Sequence, residues 1–111
     1  MFNVFRPRLD FTELAKTYPL SIAAVRERYG HGFGLLEIRD LYHYFDELGL
    51  IVGVGASQYG NLLSWQVVPR TPDFRPGAGV TPERRLSEQA AFTEAFAIHE
   101  EKLQADGVAA A

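Results

Sequence analysis

Cysteine is absent from this 111-residue chain. That excludes disulfides, thiolate nucleophiles and cysteine-ligated zinc, and it fits a reducing cytoplasm. No apolar run approaches the roughly 18 residues that a membrane-crossing helix needs. The start, Met1-Phe2-Asn3-Val4-Phe5-Arg6-Pro7, has no basic stretch leading into an apolar one, so no cleaved signal peptide is expected. Lysine is scarce: nine of the eleven basic residues are arginine, which suits planar, bidentate contacts to carboxylates or phosphates.

What is present reads as a folded domain. Hydrophobic residues make up 47% and charged residues 23%, too apolar for a disordered tail. A chain of this length buries about two-thirds of its surface, enough for one core and too little for two. A single α+β domain over residues 1–107 is therefore expected, with 108–111 as a frayed tail. The net charge of −3 argues against a general polyanion binder. The charge is uneven, however. Residues 35–68 carry one arginine against four carboxylates, whereas 69–86 carry four arginines against two acids.

Periodicity supplies the elements. Phe2-Asn3-Val4-Phe5 has the makings of a short strand. Asp10 reads as a helix cap, followed by Phe11, Leu14, Ala15 and Tyr18 on one face. Ser21 reads as the cap of a second helix, Ile22 to Tyr29, ended by Gly30. Gly30-His31-Gly32-Phe33-Gly34 is a flexible link into a third helix, Leu35 to Leu48. Its apolar stripe is Leu35, Ile38, Leu41, Tyr42, Phe45 and Leu48, with Glu37, Asp40, Tyr44 and Glu47 opposite. From Leu50 the period switches to two, and a hairpin follows with strands Leu50–Ser57 and Leu62–Val68. Gly53 and Gly55 bare one face of the first strand, where close helix packing is expected. Pro69 to Val80 reads as a loop with Phe74 tucked in. Ser87 reads as the cap of a last helix with Ala91, Phe92, Ala95, Phe96, Ile98, His99 and Leu103 inward, stopped by Asp106-Gly107. The fold class is thus three N-terminal helices, a two-stranded antiparallel hairpin (with residues 2–5 as a candidate third strand) and a C-terminal helix.

The chemistry-bearing residues are few. The glycine-rich link lacks the preceding strand and the Lys-Ser/Thr of a phosphate loop, so it reads as a linker. Asp40, His43 and Glu47 share a helical surface at spacing that a metal would accept, but exposed polar residues look like this on any solvated helix. His31 sits in the linker, and His99 lies amid apolar residues as a buried histidine. Ser21, Ser57, Ser64 and Ser87 belong to no nucleophile motif, and no carboxylate pair has an apolar setting. The residues therefore point away from an enzyme, and to no metal and no cofactor. Trp65 reads as a core anchor. The contact candidates are Tyr59 at the hairpin tip and the arginines of the 69–86 segment: Arg70, Arg75, Arg84 and Arg85.

Two resemblances bear on function. The order of three helices and then a hairpin, with Leu48-Gly49-Leu50-Ile51 leading into strands that end Val67-Val68-Pro69, resembles winged-helix regulators over residues 10–70. That likeness implies DNA binding through the third helix. The helix has Arg39 as its only fixed cation against Glu37, Asp40, Asp46 and Glu47, a poor match to phosphates. The run Tyr44-Phe45-Asp46-Glu47-Leu48-Gly49, the Trp-bearing hairpin and Ser87-Glu88-Gln89-Ala90-Ala91-Phe92-Thr93-Glu94-Ala95-Phe96 resemble small accessory proteins of bacteriophages and prophages over residues 40–103. That likeness implies a unit acting by binding. The reading adopted is a non-catalytic cytoplasmic protein-interaction protein, with a protein partner, a second copy of itself among the candidates, and neither nucleic acid nor membrane.

Overall fold

The first helix, α1 (Phe11–Thr17), starts where Asp10 turns its carboxylate back to accept from the amides of Thr12 and Glu13 at 3.1 and 3.2 Å. The computed structural model describes residues 9–30, 38–58 and 60–108. The N-terminal segment expected as a strand, the link around His31, and Tyr59 lie outside the described residues.

Tyr18 leaves the helical region and Pro19 opens α2 (Pro19–Tyr29) at its preferred first position. The helix therefore begins before Ser21, which is no cap but sits fully buried in the first turn. Gly30, at a φ of 83°, ends it. The third helix, α3 (Ile38–Leu48), buries Leu41 and Phe45 as its spacing predicts. Tyr44, expected on the solvent side, is buried as well. The ring of Tyr29 on α2 packs edge-on against it at 6.0 Å, so a second helix covers the flank that sequence periodicity assigned to water.

Gly49, at a φ of 96°, is all that separates α3 from the sheet. The strands β1 (Leu50–Ala56), β2 (Leu63–Pro69) and β3 (Gly77–Thr81) form an antiparallel meander in the order β1-β2-β3. The third strand arises within the expected loop. Its glycines read as loop formers, but they are there because neighbours occupy the space of a side chain. A Cβ on Gly79 would lie 2.6 Å from the Trp65 indole nitrogen, and one on Gly77 would lie 2.7 Å from Cγ of Glu94. Trp65 thus fills the bare patch that β3 leaves beside it.

The last helix, α4 (Arg84–Ala105), runs across the inner face of all three strands and packs α2 on its other side. Its cap is the extended Glu83; Ser87 is buried one turn in, its hydroxyl bonded to that of Thr81. Gly107, at a φ of 78°, closes it, with the Val108 amide donating back to the Leu103 carbonyl. The core is aromatic. Phe45, Phe92 and Phe96 are fully buried, with Phe45 5.0 Å from Phe96 and Tyr42 4.8 Å from Phe92, both edge-on. Phe11 of α1 and Phe74 of the β2–β3 connection close over this cluster.

Candidate functional site

The one serine–histidine pair described is sealed inside. The Ser21 hydroxyl and His99 Nδ1 lie 2.9 Å apart, and Ser21 is wholly shielded from solvent. Glu100 does not touch His99's ring nitrogens in this arrangement; it accepts from the Ser21 backbone N–H at 2.8 Å and from the Gln104 amide at 3.3 Å. It therefore serves as the missing cap of α2, supplied from α4. Burial holds His99 down to about 4, so its ring is neutral at physiological pH. Tyr44 beside it is pushed up to about 12 by the same cause. The cluster ties α2 to α4 within the fold.

The acidic surface of α3 does face outward, but its acids are engaged. Arg28 of α2 donates to both oxygens of Glu47, at 2.7 and 3.1 Å. Its hydrogen bond lowers the Glu47 carboxyl from its ordinary value. His43 lies 2.8 Å from the same carboxylate, and Arg70 lies 3.2 Å from Asp46. Glu47 thus has two partners already. Among the described residues, no group of three His, Asp or Glu is placed to hold a metal ion.

The arginines named as contact candidates lie against different elements. Arg70 pairs with Asp46 of α3. Arg75 donates to Glu101 at 2.7 and 2.8 Å and to Glu94 at 3.1 Å, binding the β2–β3 connection to α4; these hydrogen bonds raise its own pKa. Arg84 and Arg85 stand at the start of α4, about 14 Å along the helix from Glu94. Arg85 lies 3.6 Å from Glu83. Three of the four therefore face carboxylates of their own chain.

Two surfaces that the arginine reasoning missed belong to the sheet. The register places Leu50, Val52, Val54, Leu63, Trp65 and Val67 under α4, and Ile51, Gly53, Gly55, Gln66, Val68, Ala78 and Val80 on the opposite face. On that outer face Ile51 and Val68 are cross-strand partners, 40% and 41% exposed, and Val80 is 47% exposed. Among the described residues no helix covers them. Gly53 and Gly55, expected beneath a helix, look into this open side, and a Cβ on Gly55 would meet nothing within 4 Å. A signal for this was present in the sequence. Leu50-Ile51-Val52 and Val67-Val68 are apolar on both faces, whereas a sheet wet on one side alternates apolar with polar.

The second surface is the edge of β1. A cleft of about 400 Å³ runs between this strand and α3, lined by Arg39, Tyr42, His43, Asp46, Ile51 and Val52. A second open trough, of about 440 Å³, lies between Trp65 and the Gln89, Ala90, Thr93 and Glu94 side of α4. No known protein family, curated protein or solved structure matches the chain. Among the described residues, no helix is long and apolar enough to cross a membrane.

Proposed function

We propose that this protein is a non-catalytic accessory protein of the cytoplasm that works by binding another protein, in the manner of the small phage and prophage proteins it resembles. The observation that carries the reading is the uncovered sheet face. Ile51 and Val68 are apolar, exposed and directly opposite each other in the register, and exposed Ala78 and Val80 lie on the same face, across from Gln66 and Ser64. Contiguous exposed apolar surface costs solubility, and monomeric proteins keep it where a partner docks. The bared glycines at 53 and 55 let such a partner approach the backbone.

The test is a pair of substitutions that leave the core alone. Ile51→Lys and Val68→Lys place charge on the outer face only. Co-purification from cells of the native host is then compared with the unaltered protein. Loss of a specific partner from the variants supports the face; a partner held equally by both removes it.

The winged-helix reading has one observation in its favour, the direct passage from α3 through Gly49 into the hairpin. Against it, Asp46 and Glu47 would sit beside phosphates with their charge only partly offset by Arg70 and Arg28. A duplex-DNA gel shift at low ionic strength, where charge attraction is greatest, decides between them.

A further inference from the structure

The two edges of the sheet are built differently. The Gly49 carbonyl accepts from the Arg70 amide, and the Ser57 amide donates to the Leu62 carbonyl. Odd-numbered residues of β1 therefore bond to β2, and Leu50, Val52, Val54 and Ala56 turn their N–H and C=O groups away from it. Among the described residues, no strand lies beyond them. On the far edge, the same alternation turns positions 76, 78, 80 and 82 outward. Two of those four are Pro76 and Pro82, which have no N–H to offer. Proline at both ends blunts an edge against pairing. The β1 edge has no such guard: it holds neither proline nor charge. Where Leu50 is covered by the end of α3, the strand emerges progressively, from buried Val52 through half-buried Val54 to exposed Ala56.

We propose that the β1 edge pairs antiparallel with the β1 edge of a second copy of this chain, joining two sheets into one of six strands. An antiparallel edge is self-complementary under two-fold symmetry, since the same alternation of donors and acceptors faces itself. Charge favours a second copy as well. Each chain carries −3, so two copies repel unless the surfaces that meet are neutral. From Leu48 to Pro69 there is no charged residue, and the fixed charges that line the cleft beside the strand, Arg39 and Asp46, are of opposite sign. The cleft between α3 and β1 gives the incoming strand room beside Val52. Pairing also sets the two outer faces side by side, doubling the apolar surface that the proposed function assigns to a partner. Edge and face are separate surfaces, so a monomer that still binds through Ile51 and Val68 would end this proposal and leave that function standing.

The test uses the whole chain. Sedimentation over a concentration series should show twice the monomer mass. In that dimer the amides of Val52, Val54 and Ala56 should exchange as slowly as the ladder amides of Ile51, Gly53 and Gly55. Val54→Pro removes one outward N–H without touching the β1–β2 ladder, and should give a folded monomer. A monomer at every concentration overturns the pairing, whether or not its edge amides are protected. So does a dimer whose edge amides exchange freely, or a folded Val54→Pro variant that still dimerises. If that variant does not fold, mass and exchange of the unaltered protein decide.

Discussion

Lowering the pH from about 7 to about 5 should destabilise this protein through one residue, His99. The residue is 5% exposed, its ring bonded to the Ser21 hydroxyl of α2 and flanked by the rings of Tyr44 on α3 and Phe74. None of these neighbours carries a charge to compensate a proton. The folded value of about 4 lies below the ordinary 6.5, so the unfolded chain takes up the proton first. The stabilisation is whole above 6.5 and is lost as the pH falls from there to about 4. At about 1.4 kcal/mol per pH unit, the loss is about 2 kcal/mol at pH 5 and about 3 kcal/mol below both values. For a domain of this size, 2 kcal/mol lowers the melting temperature by about 8 °C. The assay is urea denaturation at several pH values for the unaltered protein and for His99→Gln, which cannot titrate there. The variant is less stable at neutral pH, and its stability should fall less across this window. Parallel pH dependences for the two proteins would refute the assignment of a neutral, buried ring.

The remaining predictions concern packing and the ion pairs. Phe45→Ala should cost about 3–5 kcal/mol by urea denaturation, because the cavity opens among Tyr44, Phe92 and Phe96. Gly79→Ala puts a methyl into the Trp65 indole, so the fluorescence of this single tryptophan should shift to the red and stability should drop by about 1–3 kcal/mol. Arg75→Ala should lower stability by about 1 kcal/mol and Arg84→Ala by less, since only Arg75 bonds two α4 carboxylates. A joint replacement of Arg70, Arg75, Arg84 and Arg85 is therefore no test of binding alone.

The helices and the hairpin were legible because their signals are local. Asp10 caps α1, Gly49 ends α3, Asp106-Gly107 ends α4, and alternation from Leu50 marks the first strand. What escaped was decided across the chain. The glycines of β3 look like loop residues until Trp65 and Glu94 are seen to fill their places. Ser21 has the chemistry of a cap, but the carboxylate of Glu100 takes that position and leaves the serine to the histidine. Arg70 and Arg75 look available in a run of basic residues, whereas their carboxylates come from α3 and α4. The apolar outer face was written in Ile51 and Val68, and reading it required knowing which side α4 covers.

The bond from Glu100 to the Ser21 amide spans 79 positions of sequence. A ribosome making this chain has nearly finished residues 1–100 before α2 receives its acceptor. Until then Phe92, Phe96 and Ile98, which complete the interior, are also unmade. The interior is therefore completed only when α4 docks, because Phe92, Phe96 and Ile98 all lie on that one helix.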